Sequence, residues 1–179
     1  MTYLIHAPGL GHDTLDEMAA LGAGLWLGMQ AGRTQALRLD ECKQVFLAPQ
    51  LAQRFVLIMR KTTRGYTPAL WLSYAHFNAH NEALYVANPA QAIAEQASQS
   101  GDRLWFLHLM AQGEISQPVK NLLRQLFTNQ TARSLSPRSH ISGQRVVLWR
   151  GKEVGLATAR AFWSARPILA HSPSWIHHE

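Results

Sequence analysis

One side chain in this 179-residue chain combines proton-transfer chemistry with an improbable setting, and it is His108. It interrupts Leu104-Trp105-Phe106-Leu107-His108-Leu109-Met110-Ala111, in which every other residue is apolar. Strand alternation puts Trp105, Leu107 and Leu109 on one face and Phe106, His108 and Met110 on the other. Both faces are apolar, so the strand is predicted to lie in the middle of a covered sheet. An imidazole there is either a packed neutral ring satisfied by a backbone carbonyl or a positioned general base. The residues alone leave both readings open.

Other side chains are weaker candidates. Cys42, the single cysteine, sits in Asp40-Glu41-Cys42-Lys43-Gln44-Val45-Phe46 and reads as a small hydrophobe on a helix. With one cysteine no intrachain disulfide can form, which fits a reducing compartment. His76 and His80 are four residues apart, but the segment reads as a strand end and turn, with no third ligand in view, so no metal is expected. His177-His178-Glu179 reads as a solvated tail. Gly113 lies in a strand-to-helix turn, where backbone N–H groups at a helix start attract phosphate. Lys120 and Arg124 stand one helical turn apart behind it. Walker loops, Gly-x-Ser-x-Gly elbows and Cys-x-x-Cys pairs are absent from the sequence.

The segment Gly101-Asp102-Arg103-x-Trp105 resembles the signature of the toxin-activating lysine acyltransferases, which switch on RTX haemolysins. Further likenesses follow in order. Leu21-Gly22-x-x-x-Trp26-Leu27 is similar to the family's first-helix motif, and Pro68-Ala69-Leu70-Trp71-Leu72-Ser73-Tyr74-Ala75 to a family strand, with Asn81-Glu82 at the family spacing. Ser136-Pro137-Arg138 and Arg150-Gly151-Lys152 resemble two late motifs, so the likeness spans roughly residues 15 to 165. There are departures. His108 stands where the family carries a catalytic aspartate, and an ungapped carry-over puts Thr34 at the position of the family's catalytic histidine. The proline and tryptophan that flank that histidine are missing around Arg33-Thr34-Gln35, and the motif that closes the strand has become Leu109-Met110-Ala111-Gln112-Gly113.

The resemblance implies a GCN5-related acyltransferase-like fold and transfer of a fatty acyl group from acyl carrier protein to a lysine amine, or a hydroxyl, of a protein or peptide toxin. The co-substrate would be the acyl-phosphopantetheine of the carrier, with no tightly bound cofactor. Gly113, Lys120 and Arg124 would meet the carrier. His108 would be the catalytic base, since the hydroxyl of Thr34 is too weak without help. The alternative is a catalytically inactive homologue that binds a carrier, a protoxin or an active paralogue. A homodimer or a heteromer with a paralogue is left open.

The elements that must hold these residues follow from patterning. Thr14-Leu15-Asp16-Glu17 reads as a capping box opening a helix with Met18, Leu21, Leu25 and Met29 inward. A second helix is predicted from about residue 36 to 47, ending at Pro49. Strands are predicted over 54–60 and 69–75, joined by a turn at Gly65, and a third over 83–87. An Ala-rich helix over 90–97, the central strand, a helix from Pro118 with Val119, Leu122, Leu123 and Leu126 inward, a strand over 145–149 and a helix over 153–163 complete the order. This is an α/β class, a single domain with a central mixed sheet covered by helices, spanning 1–166, with residues 167–179 expected to fray. With 47% apolar and 16% charged residues, disorder is excluded for the body. The formal charge of +6 favours an acidic partner, but the basic residues are dispersed, which argues against nucleic acid. No apolar run reaches membrane-spanning length and the start lacks a basic n-region, so a cytoplasmic location is expected.

Overall fold

Apolar alternation around Gly65 builds the first feature of the fold. Phe55–Thr62 (β2) and Gly65–Phe77 (β3) pair antiparallel from Thr62↔Gly65 to Phe55↔Ser73. A computed structural model of the chain describes residues 2–30, 39–90, 93–94, 96–137 and 144–169. Its strands form one six-stranded sheet in chain order, with Tyr3–His6 (β1) at one edge and Gln144–Arg150 (β6) at the other. Arg103–Ala111 (β4) is therefore an inner strand, as its two apolar faces require. The sheet is mixed. β1 pairs antiparallel with β2, while β4 pairs parallel with Thr131–Pro137 (β5) at Leu104↔Ala132, Trp105↔Arg133 and Phe106↔Ser134. The chain falls into two compact units, residues 1–74 with 108–122, and residues 75–107 with 123–179.

In the first unit, the helix Glu17–Gln30 (α1) buries Ala20, Gly24 and Leu27, and of the predicted stripe only Leu21 and Leu25 pack, half-buried, against the core. Met18 and Met29 are 74% and 76% exposed. The reason is steric: a Cβ on Gly24 would lie 2.9 Å from the Trp71 ring, so the helix comes closest at its glycine face. Trp71 stacks on Phe55 at 4.7 Å, meets Phe46 edge-on at 5.3 Å, and donates its indole N–H to the Val45 carbonyl. The predicted capping box does not form. Thr14 Oγ1 donates to the Ile5 carbonyl, and Asp16 Oδ1 accepts the Ala19 N–H at 2.8 Å instead.

The second helical segment continues past its expected stop. Leu39–Cys42 (α2) runs through a π turn, Lys43–Leu47, into Ala48–Leu51 (α3), with Pro49 in the first turn of α3, where proline is tolerated. Cys42 packs, half-buried, beside this core as a small hydrophobe.

The second unit corrects two other expectations. Ala79–Ala87 (α4) is a helix where a strand was predicted over 83–87. Asn78 caps it by accepting the Asn81 N–H at 2.8 Å, and Glu82, Tyr85 and Val86 turn inward at helical spacing. No described residue of the span 90–97 is helical. Gln117–Leu126 (α5), shared between the two units, buries Val119 and Leu123 as predicted. β1 and β5 had not been expected. Leu156–Ser164 (α6) is followed by described residues up to 169, with the Pro167 carbonyl accepting from Arg103. The tail from 170 lies outside the described residues.

Candidate active site and the acidic brace

β3 and β4 carry the chemistry of the first unit. In β3 the run Leu70-Trp71-Leu72-Ser73-Tyr74-Ala75 is fully or almost fully buried, and Ser73 is its one small hydroxyl. In β4 the half-buried His108 presents Nδ1 at 2.8 Å from Ser73 Oγ. A buried hydroxyl and a strand imidazole thus satisfy one another, each explaining the other's presence in an apolar run. Ser73 is a side-chain partner of His108 that sequence reasoning had not assigned. A signal for Ser73 existed: it is a polar residue in a strand whose neighbours are all apolar.

The other predicted residues are placed as follows. Thr34 lies outside the described residues. Gly113 adopts φ +70°, a left-handed turn conformation that suits glycine, between β4 and α5. The loop after β4 and the first turn of α5 line a pocket of about 130 Å³ in the first unit, together with Arg60 and Tyr3. Lys120 and Arg124 are both exposed on α5. His76 lies in β3 and His80 in α4, and among the described residues no three His, Cys, Asp or Glu side chains gather as a metal site.

The Gly101-Asp102-Arg103-x-Trp105 segment proves to be architecture in the second unit. Glu82 is completely buried and receives Arg103 Nη1, Trp105 Nε1 at 2.8 Å and Arg133 Nη1 at 3.2 Å. Arg133 also lies 4.1 Å over the Trp163 ring. Burial pulls its guanidinium below the usual arginine range, and the Glu82 carboxylate pushes back. Asp102 accepts two bonds from Arg166, at 2.6 and 3.0 Å, and this pairing holds its carboxyl below the usual carboxylate range. Gly101 is steric: a Cβ there would lie 2.6 Å from the Phe77 carbonyl oxygen and 2.7 Å from Asn78 N. Asp102 and Arg103 thus serve as structural ties, one to Arg166 and the other to Glu82.

In the first unit a second histidine is satisfied differently. The Thr14 and Leu15 N–H groups donate to His6 Nδ1 at 3.1 and 3.2 Å. That nitrogen must therefore be an unprotonated acceptor. Burial holds the His6 imidazole below its usual range; Asp13, 3.7 Å away, opposes this, but its carboxylate is largely exposed and screened.

With this geometry in place, the comparisons are specific. The model of the HlyC RTX toxin acyltransferase family matches residues 13–150. A protein-lysine myristoyltransferase, RtxC of Kingella kingae, is 26% identical over 133 residues, covering 72% of this chain and 77% of the relative. The match takes in β3 with Ser73, the Glu82 brace, the whole of β4 with His108, and the turn into α5. On that extent of agreement, the chain belongs to the RTX toxin acyltransferase family.

Proposed function

We propose that this chain is a lysine acyltransferase that moves a fatty acyl group from an acyl carrier protein thioester to an amine of a toxin, with His108 as the general base. Family membership and the protein-lysine myristoyltransferase relative support the reaction class. The observation that carries the base assignment is the 2.8 Å contact between Ser73 Oγ and His108 Nδ1, which holds the ring in one orientation. The fold would be of the GCN5-related acyltransferase type, for which the parallel β4/β5 pair followed from β4 by a turn and a helix is suggestive.

The chemistry is aminolysis of a thioester. A lysine ammonium releases one proton to solvent, the freed lone pair attacks the thioester carbonyl, and a tetrahedral oxyanion forms. His108 takes the proton from the attacking nitrogen. Collapse expels the carrier thiolate, which recovers that proton, leaving an amide and a free thiol. A positioned base contributes about 10²–10⁴ in rate. The turn at Gly113, the nearby pocket lined by Gln112 and Glu114, and the exposed Lys120 and Arg124 suit the phosphopantetheine arm and an acidic carrier, with the Glu114 carboxylate opposing a phosphate.

A second reading is favoured by one residue. Thr34, which an ungapped carry-over puts at the position of the family histidine, lacks a basic nitrogen, and an inactive homologue that binds a carrier, a protoxin or a paralogue would account for it. Reconstitution with acyl-loaded carrier protein and the toxin encoded beside the gene decides between the two. A fatty-acyl mass increment on a toxin lysine supports the transferase. Tight carrier or toxin binding with no increment supports the binding protein.

A further inference from the structure

We propose that Arg60 binds the phosphate of the carrier's phosphopantetheine arm, in the pocket that it lines together with the loop after β4. This rests on the reading of the chain as a carrier-dependent acyltransferase. The observation behind it is one guanidinium left without a partner where the comparable ones all have one. Among the buried or half-buried arginines of the described residues, Arg103 and Arg133 meet Glu82, and Arg166 meets Asp102. Arg150 donates to the Val154 carbonyl, and Arg54 has a partner as well. Arg60 is half-buried too, yet among the described residues its side chain makes no hydrogen bond or ion pair. A cation partly withdrawn from water costs free energy until an opposite charge meets it.

The sequence around Arg60 supplies no such charge. From Cys42 to Asn81 there are five Lys and Arg residues and no Asp or Glu. Lys61 and Arg64, on the same hairpin, are exposed, the ordinary setting of a cation at a strand end. Arg60 instead lines the pocket of about 130 Å³, with Gln112, Glu114 and Ser116 in the same lining. Its backbone pairs with Tyr3 of β1 on one side and Thr67 of β3 on the other, so the guanidinium is carried by an inner strand. Gln112 and Ser116 can each donate to an oxyanion, and the guanidinium fork matches the oxygens of a phosphate. Glu114 is exposed and beyond ion-pair reach of Arg60, so it opposes the ligand without neutralising the cation. In the carrier reading the arm brings one anionic group, its phosphate. Lys120 and Arg124 then face the body of the carrier, and Arg60 takes the arm.

The test reads binding and needs no acyl transfer. The wild-type chain is titrated calorimetrically at low salt with phosphopantetheine and with pantetheine, which differ only in the phosphate. The expected result is that phosphopantetheine binds about tenfold tighter or more, the weight of charge-assisted bonds to one phosphate, and that this ratio falls close to one in Arg60→Gln. Arg60→Lys, which keeps the charge but not the fork, should retain part of the ratio. Lys61→Gln, one residue along, should leave it at the wild-type value. Equal binding of the two compounds by wild type, or binding of neither, would overturn the assignment and return Arg60 to a solvated head on a packed stem. A ratio that survives in Arg60→Gln, or that falls as far in Lys61→Gln, would overturn it in favour of the general positive field. Inorganic phosphate competing as tightly as phosphopantetheine would overturn it too, leaving a plain anion site. The transferase reading fails separately, by an absence of acylated toxin with wild type, whatever the titration gives.

Discussion

Two buried polar clusters in this molecule invite comparison. Around Glu82, in the second unit, one carboxylate takes two guanidinium contacts and an indole N–H and has no exposed surface. Around His108, in the first unit, the imidazole meets the Ser73 hydroxyl, and the ring remains half-buried. The first is saturated and closed, so it can only hold strands and helix together. The second is small and partly open, which is the condition for a group that must exchange a proton. The sequence signature of the family falls on the first. The chemistry proposed here falls on the second.

The comparison can be broken most forcefully at Glu82. Glu82→Gln leaves Arg103 and Arg133 without their countercharge and should destabilise the protein by about 3–5 kcal/mol, a large share of its stability. Chemical denaturation checks this, and a loss below ~1 kcal/mol would show that the brace is dispensable. His108→Ala should do the reverse, leaving the melting temperature within a few degrees of wild type while lowering acyl transfer about 10²–10⁴-fold. Comparable loss of stability in both variants would erase the distinction between the two clusters.

Smaller effects sharpen it. Charge reversal of Lys120 and Arg124 together should weaken carrier binding by roughly tenfold at low salt, and by less at high salt, as measured by titration calorimetry. Unchanged affinity would move the docking surface elsewhere. The smallest effect is a pH dependence set by His6. Its folded imidazole resists the proton, whereas the unfolded chain takes it up at the usual histidine value of 6.5. The unfolded state therefore binds more protons as pH falls through that value, and stability is present above it and declines below. Melting temperatures should drop by a few degrees between neutral and mildly acidic pH, and the slope should flatten in His6→Gln. An identical slope in the variant would remove His6 from the account.

Much of this was legible in the residues. The central strand, the hairpin through Gly65 and α5 followed from alternation and helical spacing, because one pattern fitted each. Where a pattern was degenerate the reading failed. Ala83-Leu84-Tyr85-Val86 is a short apolar run that periodicity cannot divide between strand and helix, and the Asn78 cap decides for helix. α1 is apolar nearly all round, so spacing alone could not select the face that Gly24 allows to approach Trp71. β5 begins Thr-Ala-Arg-Ser-Leu-Ser and has too few apolar residues to announce a strand. The Ser73–His108 pair joins residues far apart in the chain, and one sequence offers no means of pairing them. Each was nonetheless marked as a polar residue in an apolar strand.

The most direct measurement of the central claim is the intact mass of the toxin acceptor after co-production with acyl carrier protein and either wild-type chain or His108→Ala, at matched levels of folded enzyme. The account predicts a fatty-acyl increment on a lysine with wild type and its near disappearance with His108→Ala. An undiminished increment in the variant would contradict it and move the base elsewhere in the molecule.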